Sequence, residues 1–159
     1  MKLDSLDIKL LDLLQKDASL TYQELASLTH TSTPTCQRRV SKLRLTGVIK
    51  RIVAQLDQSI VGVPLTAILE VTLLTQNAEA LDSFESLVSE IDAVQQCYRV
   101  STGPDFVLVI AVTDMSRYHE FVHRYLTANN LVRNIRTFFS IHRSKFEVGV
   151  PLSSTKNGP

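Results

Sequence analysis

The feature that most limits what this chain can fold into is a change of hydrophobic period at Gly47. Before it, apolar residues recur at helical spacing; beyond it, they alternate. A 3.6-residue stripe and a two-residue alternation bury their faces differently, so the two halves call for different architectures. The 159 residues are enough for one compact domain or two small ones, and the period change favours two.

The helical half ends in residues 32–51, STPTCQRRVSKLRLTGVIKR, with six basic residues and no acidic one. Ser32 is a candidate N-cap, Pro34 suits a first turn and Gly47 a helix stop. Cys36, Val40 and Leu43 form one apolar stripe, which leaves Thr35, Arg38, Arg39 and Lys42 to project from the other side. Such a basic, hydroxyl-rich face suits a DNA major groove, although charge alone equally describes a solvated helix. Upstream, Asp4 is placed to cap a leucine-rich helix that closes at 16–19. Thr21 and Glu24 form a capping box for a short second helix whose inner face is Leu25, Ala26 and Leu28. Long helix, short helix, tight turn and basic helix follow one another at helix-turn-helix spacing. Residues 48–56 are β-prone and are expected to form a wing or an exit strand, with Lys50 and Arg51 near phosphates.

The second half reads as strand 65–75, helix 78–91, strands 94–101 and 105–112, helix 116–126 and strand 132–146. The fold class expected is therefore α+β: a winged helix-turn-helix domain (1–56), a linker (57–64), a ferredoxin-like βαββαβ domain (65–150) and a tail (151–159). Helices on one face of that sheet leave the other to be covered, most simply by self-association.

Net charge is only +1, so any nucleic-acid function must be local; residues 1–60 hold nine Lys or Arg against six Asp or Glu. Two lone cysteines, Cys36 and Cys97, make neither a disulfide framework nor a metal cage and point to a reducing compartment. The N-terminus lacks the apolar run of a signal peptide, and the longest apolar run is far short of the ~20 residues of a membrane span.

Several motifs in order resemble the leucine-responsive regulatory protein (Lrp/AsnC, feast/famine) family of bacterial transcription regulators. Residues 3–17 resemble its opening LDxxDxxLLxxLQKD. Ser32, Cys36, Arg39, Val40, Leu43, Gly47 and Ile49 match its recognition region, with Thr33 and Thr35 standing where the family has proline. Residues 100–106 resemble its V-S/T-G-x-x-D-Y/F loop with the glycine one position later, and 114–116 and 136–137 also match. The resemblance implies a cytoplasmic, nucleoid-associated regulator of double-stranded DNA, with no enzymatic activity and no cofactor. It also implies dimers that assemble into octamers, and an amino-acid effector, leucine or methionine.

On this reading Ser32, Thr33, Thr35, Gln37, Arg38, Arg39, Lys42, Lys50 and Arg51 are the DNA-binding set. Arg39 has an alternative in pairing within the domain. The effector-binding set implied is Val100, Ser101, Thr102, Gly103, Pro104, Asp105, Arg136 and Thr137. Asp105 heads an apolar strand and needs a cationic partner, either the effector's ammonium or, structurally, Arg99 or Arg136. Residues 119–123, HEFVH, fit a zinc-hydrolase pattern, but Tyr118, Phe121, Val122 and Tyr125 define the core face there, and no metal site is expected. Two other rivals are a haem-pathway decarboxylase on the same architecture and an amino-acid-sensing module without DNA binding.

Overall fold

The computed structural model describes residues 2–128 and 130–152. The chain divides into two units: one runs to Gln55 and resumes at Lys145, and the other is Leu56–Ser144.

The first unit holds α1 (Ser5–Lys16), α2 (Tyr22–Thr29) and α3 (Thr33–Leu45). Each begins where a side chain satisfies the free amides of the first turn. Asp4 caps α1, Thr21 and Glu24 form a reciprocal box on α2, and Ser32 caps α3. His30 closes α2 in the left-handed region (φ 54°), and Gly47 (φ 72°) turns the chain out of α3. Ile49 N donating to Leu43 O at 3.1 Å and Gly47 N to Arg44 O at 3.0 Å complete that exit. Leu10, Leu25, Ala26, Cys36 and Val40 form the core, with Leu6, Leu13, Leu14 and Ile49 against it. Leu28, expected on the inner face, is instead exposed; Thr29 is buried there, its hydroxyl donating to Leu25 O at 2.6 Å.

The winged part of the expectation does not hold. Residues 48–56 form no strand, and Ile52, Val53 and Leu56 are exposed, because β propensity alone supplies no neighbouring strand to pair with. The end of the chain returns to this unit. The Gln15 side chain donates to Val150 O (2.9 Å) and accepts from Val150 N (3.0 Å), holding that residue at both of its backbone polar atoms. Residues 145–150, expected with the sheet domain, thus group with α1. Of the expected tail, 153–159 lies outside the described residues.

The second unit begins with turns at 58–62, where the expected linker lies. The Asp57 carboxylate accepts from Ser59 N at 2.9 Å, and Gly62 adopts φ 79°. Then come β1 (Leu65–Leu73), α4 (Ala78–Ser89), β2 (Val94–Arg99), β3 (Phe106–Val112), α5 (Met115–Phe121) with a π-helical turn (Val122–Thr127), and β4 (Val132–Phe139). The antiparallel sheet has the order β2-β3-β1-β4, that of a ferredoxin-like split βαββαβ. Pleating sends Ala67, Leu69, Val71 and Leu73 of β1 and Phe106, Leu108 and Ile110 of β3 towards the helices. They bury Phe84 and Val88 of α4, Tyr118 and Phe121 of α5, and Leu126. Phe84 and Phe106 meet at 4.8 Å between centroids, within this core.

β4 stops at Phe139 rather than running on to 146, because its partner β1 begins at Leu65; Ser140 N donating to Thr66 O is the last rung. Ile141 beyond it is fully exposed.

Phe84→Ala is expected to destabilise the second unit by about 3–5 kcal/mol, the usual cost of emptying a fully buried phenyl site. Urea unfolding followed by circular dichroism will measure the loss.

Candidate DNA interface and effector loop

The stripe of α3 points as its spacing requires: Cys36, Val40 and Leu43 are buried. Ser32, Thr33, Gln37, Arg38 and Lys42 are exposed, together with Ser41 and Arg44, which the sequence reading left out. No acidic residue interrupts this face. Thr35 is half-buried and its hydroxyl lies 2.8 Å from that of Ser32, so part of its hydrogen-bonding capacity is spent on the cap. Lys50 and Arg51 are exposed on the segment leaving the helix.

Arg39 is the exception and requires a correction. It turns off the projecting face and towards α1. Its Nη1 is bound to both Asp7 Oδ1, at 3.0 Å, and Asp4 Oδ2. Asp7 is buried, and Arg39 Nε is sealed from solvent with no hydrogen-bond partner among the described residues. The guanidinium is partly exposed, but its Nη1 is engaged by its own domain rather than left open to a groove. The alternative given for it, pairing within the domain, is the one the geometry supports.

The second candidate site is the loop from β2 to β3. Val100 N donates to Asp105 O at 3.0 Å across its base. Ser101, Thr102 and Gly103 are exposed between, and Pro104 is half-buried. Gly103 takes φ 87°, a conformation that strains any residue with a Cβ, so the displaced glycine still supplies the turn. The partner of Asp105 is neither arginine proposed for it. Its Oδ2 accepts from Leu73 N at 2.7 Å and from Gln76 Nε2 at 3.4 Å, which fastens the loop to the end of β1. Arg99 pairs instead with Asp82 and Glu85 of α4, and Arg136 with Glu70 of β1 at 2.9 Å.

Arg136 and Thr137 were expected in one site, yet adjacent strand residues face opposite ways. The Thr137 hydroxyl meets Tyr118 OH at 2.8 Å on the helix side, while Arg136 lies on the open face beside Phe138. They cannot line one site within a single copy of the chain. That open face also carries Ile68, Val107, Val109 and Tyr98, at registers Ile68↔Val109, Ile68↔Phe138 and Tyr98↔Val107. Among the described residues no element of the second unit covers it, so a substantial part of it is apolar and accessible.

His119 and His123 are exposed, and Arg117 holds Glu120 at 2.6 Å. Among the described residues no three His, Cys, Asp or Glu side chains gather to hold a metal ion. Nor, among them, is any helix long and apolar enough to cross a membrane.

Comparison with known proteins separates the same two parts, although the second match runs past Ser144 to residue 150. Residues 3–44 match an AsnC-type helix-turn-helix domain, and residues 66–150 match an Lrp/AsnC ligand binding domain. An HTH-type transcriptional regulator of Sinorhizobium fredii is 35% identical over 152 residues, 96% of this chain and 90% of its own length. A leucine-responsive regulatory protein of Rhizobium meliloti is 34% identical over 145 residues, 91% of this chain and 93% of its own. Among solved structures, a transcriptional regulator of Neisseria meningitidis in complex with L-Met superposes with TM-score 0.90 at 27% identity. That match covers 97% of this chain and 99% of the other.

The carboxylates of the first unit give a pH prediction. The Asp7 amide, then the Arg39 guanidinium, hold Asp4 below the usual carboxylate value, and the Thr21 amide and hydroxyl do the same for Glu24. Groups lowered in the folded state stabilise it fully above their unfolded values, near pH 4. That stabilisation is lost as pH falls through the lower folded values. The melting temperature is therefore expected to be steady with respect to these groups above about pH 5 and to drop below pH 4. In Asp4→Ala the drop should be shallower.

Proposed function

The chain belongs to the Lrp/AsnC family of transcription regulators, and from that premise we propose that it reads DNA with the exposed face of α3 and responds to leucine or methionine. It is a helix-turn-helix regulator with an amino-acid-binding domain and not an enzyme; its relatives are named regulators. The observation that carries the DNA reading is the uninterrupted basic and hydroxyl-bearing face of α3, backed by a buried stripe and capped at Ser32. Arg38 is the side chain with the reach and fork geometry to read guanine, and Gln37 that to read adenine. Lys42, Lys50 and Arg51 neutralise phosphates, while Ser32, Thr33 and Thr35 lie at the helix start, where an anion is favoured.

For the effector, the proposed site is the loop 100–105. Both side-chain bonds of Asp105 fall on Oδ2, which leaves Oδ1 to accept from an ammonium. The exposed stretch Ser101–Thr102–Gly103 supplies amides for a carboxylate. Leucine or methionine is favoured because one relative is named leucine-responsive and one structural neighbour binds L-Met.

A second copy of the chain is the proposed cover for the open sheet face, with dimers assembling into octamers and the effector shifting that assembly. Two α3 helices in such a dimer would read a loose inverted repeat with half-sites about one DNA turn (~34 Å) apart. A cytoplasmic, nucleoid-associated protein is the corresponding location.

Binding to duplexes enriched from a random pool is expected to weaken steeply with salt. Arg38→Ala with Lys42→Ala should flatten that dependence by about 0.9 for each phosphate no longer neutralised. Unchanged affinity in the double variant would favour the sensing module without DNA binding. Leucine or methionine should raise the melting temperature, since a ligand of the native state alone stabilises it by mass action. A thermal-shift series over the twenty amino acids tests this, and a response confined to others would reassign the effector.

A further inference from the structure

We propose that Arg39 is a positioning residue of the DNA reader, which holds α3 at its working angle by clasping the capping box of α1. The inference rests on the DNA reading above and adds to it how the reading helix is set.

Asp4 and Asp7 each divide their two oxygens between two tasks. Asp4 Oδ1 accepts from Leu6 N at 3.0 Å and Asp7 N at 2.9 Å, while its Oδ2 binds Arg39. Asp7 Oδ2 accepts from Asp4 N at 3.2 Å, while its Oδ1 accepts from Arg39 Nη1 at 3.0 Å. The start of α1 and the middle of α3 are therefore one hydrogen-bonded assembly. Two carboxylates converge on a single guanidinium nitrogen, and Arg39 Nε is buried beside them without a partner among the described residues. Burying that donor unpaired costs free energy, so the side chain enters the site because the paired acids more than offset it. Arg39 lies one residue after Arg38 and three before Lys42, on the same helix as the reading residues. Without the clasp the angle of α3 rests on its buried stripe alone, and every side chain it presents moves with any tilt.

A positioning role and a phosphate contact give opposite outcomes when the acids are changed. Removing a negative charge from a DNA-binding unit ordinarily strengthens binding, and would do so all the more if it freed Arg39 for a phosphate. If Arg39 positions α3, the same change weakens binding. Asp4→Asn isolates the effect, because Asn caps a helix about as well as Asp while losing the charge that holds Arg39.

The experiment measures affinity of the full chain for a duplex enriched from a random pool by the unaltered protein. The temperature is one at which circular dichroism shows every variant fully folded. Asp4→Asn is expected to bind roughly fivefold more weakly, with an unchanged salt slope, and Arg39→Gln likewise. The double variant should be no worse than Arg39→Gln alone, because both changes break one interaction. Arg39→Lys should recover much of the affinity, since one ammonium nitrogen can serve both acids. Tighter binding by Asp4→Asn, or a salt slope reduced by about 0.9 in Arg39→Gln, would make Arg39 a phosphate contact and overturn the proposal. Affinity unchanged in both folded variants would make the clasp a matter of stability alone and overturn it too. Failure of the unaltered chain to enrich any duplex would instead overturn the DNA reading, and the clasp's role with it.

Discussion

The second unit depends on one constraint: two helices cover only one face of a four-stranded sheet. Alternation along β1 and β3 sends Leu69, Val71, Phe106 and Leu108 to the covered side, where they are fully buried. The same alternation obliges Ile68, Val107 and Val109 to face the other way. Once the core is made, the apolar character of the open face follows, and so does the burial available to a partner. The pair Glu70–Arg136 stands among these residues, a polar element that can fix the register of whatever covers them. Folding and the proposed self-association thus draw on one strand pattern.

The first unit meets a different demand. Three short helices have many free terminal amides for their size, and a small core with which to resist fraying. Asp4, Thr21 and Ser32 answer the first demand locally. The ion pairs of Arg39 join two of the three helices across the domain. What distinguishes α3 from an ordinary solvated helix is therefore less its charge than the firmness of its support.

Much of this was legible in the sequence because it is local. Capping at Asp4, Thr21 and Ser32, the exit at Gly47 and the stripe Cys36–Val40–Leu43 depend on residues a few positions apart, and the structure has them as the spacing requires. The misreadings arose where a distant partner decides. Arg39 looked like its neighbours on α3 until Asp4 and Asp7, more than thirty residues away, drew it inward. Residues 48–56 have strand composition but no strand beside them, and β4 ends where β1 begins rather than where its own apolar run ends. The period-two rule alone would have separated Arg136 from Thr137; the resemblance had joined them. Asp105 was expected to face a cation; within the chain it accepts from the amide of Leu73, and a backbone donor leaves no trace in a residue pattern.

The clasp of Gln15 on Val150 bears on the order in which the protein can be completed. The first unit is discontinuous: its helices come from the start of the chain, and its last segment from beyond the sheet unit. During synthesis α1 to α3 leave the ribosome before the sheet, yet the residue that Gln15 holds leaves after β4. Domains generally fold as they emerge. Here the ligand-binding unit has all its strands before the DNA-reading unit has all its parts, so the reader reaches its final form only on a chain that already carries its sensor.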